Sequence, residues 1–411
     1  MNSIKFEYPN ELEEIFDKLD SFDLKVIIVG GYVRDFFLGV KSKDIDIEVF
    51  GLSKIDALID ILQEFGEVNL VGKSFGVCKL HYKELDLDFS MPRVDNKTSS
   101  GHRGFQVTTK KELHFSQASS RRDFTINSMG YDTYNKKILD PFNGLDDLRN
   151  KKLKFVNKKS FVEDPLRVLR AMGMVARFEL SVQRDTLRLC HQMVAQNLLD
   201  ELPKERIYEE FKKLFLKAQR PSLGFYFLKD ISATHFFSEL VFEDAVLQKA
   251  LLSLDNFQTN KTRDAQTNIK LLLVLLCYPL DERKTNSFLL KLTNNKKFSD
   301  VIVIMQNNLK TIKKKHDTYS LKKLATTSKI NELCLLLDAQ GFDSKQIYEK
   351  AKKVNILHEA EPMLLKGKDL IQLGLKPSKK FSKILTTLYD AQLKGGLKTK
   401  KEVIDFYYLS L

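Results

Sequence analysis

The chain of 411 residues is poor in several things at once. Cys78, Cys190, Cys277 and Cys334 stand singly, with no C-x-x-C pair and no histidine-rich neighbourhood. Zinc-binding spacings are therefore excluded, and the four read as buried thiols in a reducing compartment. The longest apolar run, "LLLVLLCYPL" from Leu271, is too short to span a bilayer. The opening "MNSIKFEYPNELEEIF" is acidic where a signal peptide would be basic and then apolar. A soluble, cytoplasmic protein without a membrane partner is expected. Internal repeats and long low-complexity segments are also missing. Arginine is absent from Thr311 to Leu411, which holds 20 lysines and 11 acids and so carries +9 of the total +13. That bias points to a polyanionic partner, although lysine-rich solvated helices also arise from biased composition alone.

What is present divides into two textures. The length suggests two to four domains. In the first third, "LKVIIVGG", "IDIEVF", "VCKLHY", "ELDLDFSM" and "TINSMGYD" read as strands, while "YVRDFFLG" and "KIDALIDILQEF" have helical spacing. This predicts an α+β unit with a small, mostly antiparallel sheet. Beyond Arg149 the apolar spacing is helical almost throughout, as in "PKERIYEEFKKLFLKA". The main boundary falls at "NGLDDLRNKKLKFV", with weaker ones at Gln219 to Gly224 and at "NNLKTIKKKHDTYS". The expected parts are therefore 1–150, 151–218, 219–310 and a lysine-rich 311–411.

Two adjacent carboxylates carry the first chemical signal. In a strand alternate side chains share a face, so Asp44 and Asp46 project together while Ile45 and Ile47 point to the core. Paired acids repel unless a cation lies between them, and oxygen-only ligands suit Mg²⁺. A solvent-facing strand edge explains a lone D-x-D equally well. Just upstream, Gly30 and Gly31 have no Cβ to keep a phosphate from the backbone, and Arg34 follows on a predicted first helical turn. The spacing is G-G-x-x-R rather than G-x-G-x-x-G, which argues against a dinucleotide loop. Asp86 and Asp88 in "ELDLDFSMPR" share another strand face. Three acids on neighbouring strands would suit two Mg²⁺ ions and nucleotidyl transfer.

A second signal is "EDPLRVLRAMG". On a helix Asp164, Arg167 and Arg170, three apart, form one polar stripe. Cytosine and adenine both present an exocyclic amine donor beside a ring-nitrogen acceptor. Asp164 only accepts and Arg167 only donates, so this pair matches C and A and leaves U and G unpaired. Asp164 as an N-cap with Pro165 at the first helical position is a simpler reading, compatible with the first.

In order along the chain, "VGGYVRDFFLG", "KDIDIEVF", "LDFSMPR", "SSRRDFTINSMGYD", "DPFNGLDDL", "EDPLRVLRA" and "ERIYEEFKKL" resemble class II tRNA nucleotidyltransferases (CCA-adding enzymes) and bacterial poly(A) polymerases. The resemblance runs from about Val26 to Leu216, with a fainter echo at "HFFSELV". It implies a polymerase-β-like head with a small mixed sheet, then an elongated all-α neck, body and tail. It implies that Asp44 and Asp46 bind Mg²⁺, with Asp88 as the third catalytic acid. Gly30, Gly31, Arg34 and Arg122 fall on its nucleotide site, as do Asp164, Arg167 and Arg170, the first two as a protein template for the base. For Arg121 and Asp123, in the same motif as Arg122, a local ion pair stabilising a strand entry is the alternative reading, and Arg206 with Glu210 reads as a structural ion pair. The implied partners are tRNA, CTP and ATP, and a monomer or weak dimer is expected. Full CCA addition is the expected activity; poly(A) synthesis, CC-only or A-only addition, and a non-catalytic RNA-binding protein are the alternatives. The Ser-, Thr- and Lys-rich stretch between Met91 and Arg121 reads as a full-length mobile loop, which favours addition of all three nucleotides. Where the family places an arginine three residues after Arg170, this chain has Gly173. Some relatives carry a phosphohydrolase domain built on His and His-Asp ligands; the histidines here form no such set, and that activity is not expected.

Overall fold

In a computed structural model, residues 6–69, 77–97, 105–109, 113–378 and 380–409 are described, those of 94–97 and 105–109 as backbone only. The chain divides into two compact units, Met1–Glu210 with Leu223–Phe236, and Phe211–Ser222 with Phe237–Leu411.

The first unit runs α1 (Leu12–Asp20), β1 (Lys25–Val29), α2 (Gly31–Phe37), β2 (Asp44–Phe50), α3 (Ile55–Leu62), β3 (Val68–Asn69), β4 (Val77–Tyr82), β5 (Leu85–Ser90), β6 (Arg93–Lys97) and β7 (Phe105–Thr109). It continues through α4 (Phe115–Ser119), a 3₁₀ turn (Thr125–Asn127), β8 (Gly130–Asp132), β9 (Lys137–Leu139), α5 (Gly144–Arg149), β10 (Lys152–Leu153), α6 (Lys158–Glu163), α7 (Leu166–Phe178), β11 (Ser181–Val182), α8 (Arg184–Ala195) and into α9 (Lys204–Lys217). Seven strands form one sheet in the order β3-β4-β5-β2-β1-β8-β9. Only β2 and β5 run parallel in it, so the sheet is mixed and mostly antiparallel, as expected.

Alternation gives this sheet two unlike faces. Ile45, Ile47, Leu80, Leu87 and Phe89 are buried on one. Tyr82, on that same face, donates to Glu14 Oε2 at 2.6 Å, so α1 covers it, and α3 packs beside α1. The opposite face carries Asp44, Asp46 and Glu48. In the parallel pair Asp44 lies opposite Asp86 and Asp46 opposite Asp88, which lines up four acids.

Three local expectations are corrected. "TINSMGYD" begins as the buried 3₁₀ turn and becomes a strand only at Gly130. Within the stretch between Met91 and Arg121, β6 and β7 pair antiparallel and α4 follows, so it is not simply a loop; residues 98–104 and 110–112 lie outside the described residues. The helical region beyond Arg149 contains one short parallel pair, β10 with β11.

The second unit is helical: α10 (Ser222–Asp230) joins it at its first residue, followed by α11 (Ala245–Phe257), α12 (Ala265–Cys277), α13 (Glu282–Leu292), α14 (Lys296–Ile312), α15 (Thr318–Ala325), α16 (Ile330–Ala339), α17 (Lys345–Lys353), α18 (Gly367–Gln372), α19 (Lys380–Leu393) and α20 (Lys400–Leu409). The apolar run seen in the sequence is α12, where Leu271 to Cys277 are all buried and which packs against α11, α14 and α16. A helix apolar all round belongs at the centre of a bundle. Leu365, Leu370, Leu388, Val403 and Tyr407 form a further core among the last helices. All four cysteines are buried as free thiols. Among the described residues no helix is long and apolar enough to cross a membrane.

Candidate active site

A cleft of about 500 Å³ in the first unit is lined by seven arginines (Arg34, Arg93, Arg121, Arg122, Arg167, Arg170, Arg206) and four acids (Asp46, Asp123, Glu163, Asp164). Gly30 and Gly31 lie on its wall. Of the ten residues expected from sequence, the cleft gathers eight; Asp44 and Asp88 lie outside its lining, beside Asp46 on β2 and β5.

Gly30 is fixed by geometry. Its φ of +72° is a left-handed conformation, and a Cβ there would lie 2.7 Å from Arg122 Nη1 and 3.4 Å from Asp46 Oδ2. Its N–H donates to Met129 O at 3.1 Å, so its role at the wall is close approach. Asp46 reaches solvent through the cleft while protein surrounds it on most other sides. Burial raises its carboxyl above the usual range, Arg122 opposes the shift, and Asp88, Glu48 and Asp44 add to it. Asp88 is ion-paired with Lys79 across β4 and β5, at 2.8 and 3.1 Å.

This donor set suits a hard divalent cation. The ligands offered are carboxylate oxygens alone, two alternating on one strand and a third in register beside them. Among the described residues no three acidic, histidine or cysteine side chains enclose an ion position by themselves. A cation held here would complete its shell with water and substrate phosphates, as Mg²⁺ does.

The arginines are held by buried acids. Arg34, only 4% exposed, donates Nε and Nη2 to Asp35 Oδ1 at 2.8 and 2.6 Å, and Nη1 to Asn127 Oδ1. It also stacks on Phe178, and burial lowers its pKa. Arg122 donates to Glu48 Oε1 at 2.8 Å and to Asn127 O at 3.4 Å. Arg121 also donates to Glu48 Oε1, at 3.2 Å. Asp123 accepts from Arg170 Nη2 at 2.6 Å and Nε at 2.7 Å, from Asn127 Nδ2 at 3.0 Å and from Phe124 N at 2.8 Å. Burial alone would raise its carboxyl, but Arg170, Asn127 and Arg167 outweigh it and bring the pKa down to about 2. Asp123 in turn raises the pKa of Arg170. Arg121 thus pairs with Glu48, and Asp123 pairs with Arg170.

Asp164 stands just before α7 rather than on it, so only Arg167 and Arg170 of the expected stripe are helical. Its Oδ1 accepts from Leu166 N at 3.2 Å, which is the capping role. Arg206 of α9 donates to both its oxygens, at 3.4 and 3.2 Å, instead of pairing with Glu210. Arg167 donates to Arg121 O and, at 3.3 Å, to Ser160 Oγ; burial lowers its pKa. Around Gly173 a Cβ would meet nothing within 4 Å beyond its chain neighbours and the backbone of its own helix. Sequence reasoning missed Glu48, Asn127 and the Arg206–Asp164 pair. Only Glu48 left a trace, as the third acid at period two in "DIDIE".

A seven-stranded sheet carrying adjacent carboxylates beside an arginine-lined cleft defines a nucleotidyltransferase head. The Poly A polymerase head domain family matches residues 26–154, and tRNA nucleotidyltransferase domain 2 matches residues 264–407. The CCA-adding enzyme of Francisella tularensis subsp. novicida is 27% identical over 369 residues, 89% of this chain and 86% of its own. The Multifunctional CCA protein of Neisseria meningitidis serogroup A is 38% identical over 190 residues, 46% of this chain and 43% of its own length. Among solved structures, a CCA-adding enzyme in complex with CTP matches with a TM-score of 0.72 and 21% identity, covering 98% of this chain and 96% of that one. The Thermotoga maritima CCA-adding enzyme complexed with tRNA matches with a TM-score of 0.67 and 20% identity, covering 98% and 96%, and so shares the fold. The chain thus matches the Poly A polymerase head domain in its first part and the tRNA nucleotidyltransferase second domain in its helical part, and it resembles CCA-adding enzymes over most of its length.

Proposed function

We propose that this protein adds C, C and A, from CTP and ATP, to the 3′ end of tRNA in the cytoplasm without a nucleic-acid template. The observation that carries the reading is the union, in one cleft, of Asp46, Arg34 and Arg122 with Asp164, Arg167 and Arg170. Acids and arginines of the first set suit a triphosphate; the second set suits a base edge.

In the reaction the tRNA 3′-oxygen forms a bond to the α-phosphorus, and the bond from that phosphorus to the bridging oxygen breaks, releasing pyrophosphate. Asp88 accepts the hydroxyl proton and passes it to solvent. Asp44 and Asp46 would hold Mg²⁺, which supplies charge neutralisation for the triphosphate and a more acidic hydroxyl. Arg122, held by Glu48, and Arg34, held by Asp35 and Asn127, offer positive charge in fixed positions, so little reorganisation accompanies charge development. At the other end Asp164 accepts from the exocyclic amine of C or A and Arg167 donates to the ring nitrogen. A U or G would leave both half-buried groups facing like partners. Arg206 on Asp164 fixes the carboxylate plane for that contact.

The proposed parts are a catalytic head over 1–150, a nucleotide-selecting neck over 151–218, a body over 219–310 and a tRNA-binding tail over 311–411. Lysines in the tail suit phosphate contacts of low sequence specificity. The deciding experiment gives the purified protein Mg²⁺, tRNA ending before CCA, and CTP, ATP or both, and sequences the ends. Three added residues, C, C and A, are expected. A long A tail would make it a poly(A) polymerase, C alone or A alone a partial enzyme, and no addition a binding protein.

A further inference from the structure

Asn127 is 6% exposed and touches both ends of the cleft. Its Oδ1 accepts from Arg34 and its backbone O from Arg122, the two arginines assigned to the phosphates. Its Nδ2 donates to Asp123, whose other oxygen holds Arg170 of the base-selecting helix. The amide orientation is forced by chemistry, because a guanidinium only donates and a carboxylate only accepts. Neither an acid nor an aliphatic side chain of that size satisfies both neighbours.

The contacts close into a circuit. From Arg170 they pass through Asp123, Asn127 and Arg34 to Asp35, and Asp35 Oδ2 accepts from Arg177 Nη2 at 3.1 Å. Arg170 and Arg177 both belong to α7, about 10 Å apart along its axis at the helical rise. The base-selecting helix is therefore tied to the head at two points, and Asn127 is the link that joins them. Displacing Arg34 toward a triphosphate pulls on the side chain that sets Asp123 and Arg170, and displacing Arg122 pulls on the backbone of the same residue.

We infer that Asn127 is a positioning residue that couples occupancy of the phosphate end to base choice at the other end, so that the triphosphate sharpens selection of C and A. This rests on the nucleotide-selecting role proposed for the cleft. It is a coupling between two sites, and such couplings are reciprocal and measurable as a ratio of affinities.

The test measures binding of CTP, UTP, CMP and UMP to the whole protein without tRNA. In the wild type the UTP/CTP ratio of dissociation constants is expected to exceed the UMP/CMP ratio by about tenfold. In Asn127→Ala the two ratios are expected to agree within about twofold. Asn127→Asp keeps the shape and the Arg34 contact but loses the donor to Asp123, and the same collapse is expected. Equal ratios in the wild type, or an excess that survives in either folded variant, would overturn the coupling. Should neither variant fold, the wild-type ratios decide alone. A protein that adds CCA but shows equal ratios loses only this inference, whereas the sequenced tRNA ends decide the activity.

Discussion

The basic side chains of the cleft and of the tail over 311–411 differ in kind. In the first unit arginines line the cleft and are fixed by buried acids: Arg170 on Asp123 and Arg34 on Asp35, both acids under 7% exposed. In the second unit the tail is all lysine. Some of these meet partly exposed acids, such as Lys394 with Asp390 at 3.0 Å and Lys322 with Glu361 at 2.6 Å. Lys314 and Lys315 are exposed and have no carboxylate partner among the described residues. The planar, forked guanidinium holds one geometry, and the mobile ammonium supplies charge with little geometry. The contrast fits the proposed division of labour, a nucleoside triphosphate in the cleft and the phosphate backbone of tRNA along the tail.

The strongest break of this contrast removes an acid from the cleft. Asp46→Ala is expected to lower incorporation by about a thousandfold or more, the scale of a lost cation clamp, with tRNA affinity nearly unchanged in a filter-binding assay. Retained turnover would sink the cation assignment.

Next comes Asp123→Asn, which leaves Arg170 without its counter-charge and should cost about 3 kcal/mol in urea unfolding. The wild-type pH profile sharpens the point. The folded pKa of Asp123, about 2, lies below its unfolded value, so its contribution is full above about pH 4 and fades as pH falls toward 2. That loss amounts to about 2 kcal/mol, and the Asn variant should lack it.

Arg167→Ala should keep the fold and relax base choice. Selection of CTP over UTP is expected to fall about 10- to 100-fold, as expected for an unmade buried hydrogen bond, and an unchanged preference would remove its template role. The smallest effect belongs to the tail. Lys314→Ala with Lys315→Ala should weaken tRNA binding a few-fold and reduce the magnitude of its salt slope by about one per lysine that contacts phosphate. Lys315→Arg should change nothing, whereas Arg170→Lys should impair nucleotide binding.

Much of this was legible in local sequence. β2 and β4 follow from alternation, since Ile45 and Ile47 alternate with Asp44 and Asp46, and α12 from its apolar run. The order of motifs located the two ends of the cleft. What was not legible depends on partners far along the chain. Glu48 looks like a third solvent-facing acid until Arg121 and Arg122, more than 70 residues later, bury it. Arg206 sits one turn from Glu210, the ordinary helical partner, yet reaches Asp164 across 42 positions. "TINSMGYD" reads as a strand from Thr125, Ile126 and Tyr131, but Asn127 is held by Arg34 from 93 positions away and Ser128 Oγ donates back to Thr125 O, so its first half is a 3₁₀ turn.

The parallel pairing of β2 with β5 bears on how the protein comes into being. Parallel neighbours need a long crossover, and here α3, β3 and β4 lie between them, so Asp46 cannot meet Asp88 until that whole stretch has left the ribosome. The end proposed to read the base waits longer, since Asp164 obtains Arg206 only when about half the chain has been made. A nascent chain therefore carries its paired acids before it carries the groups proposed to select the nucleotide, and the charge pairs that complete the cleft are added in the order in which translation delivers them.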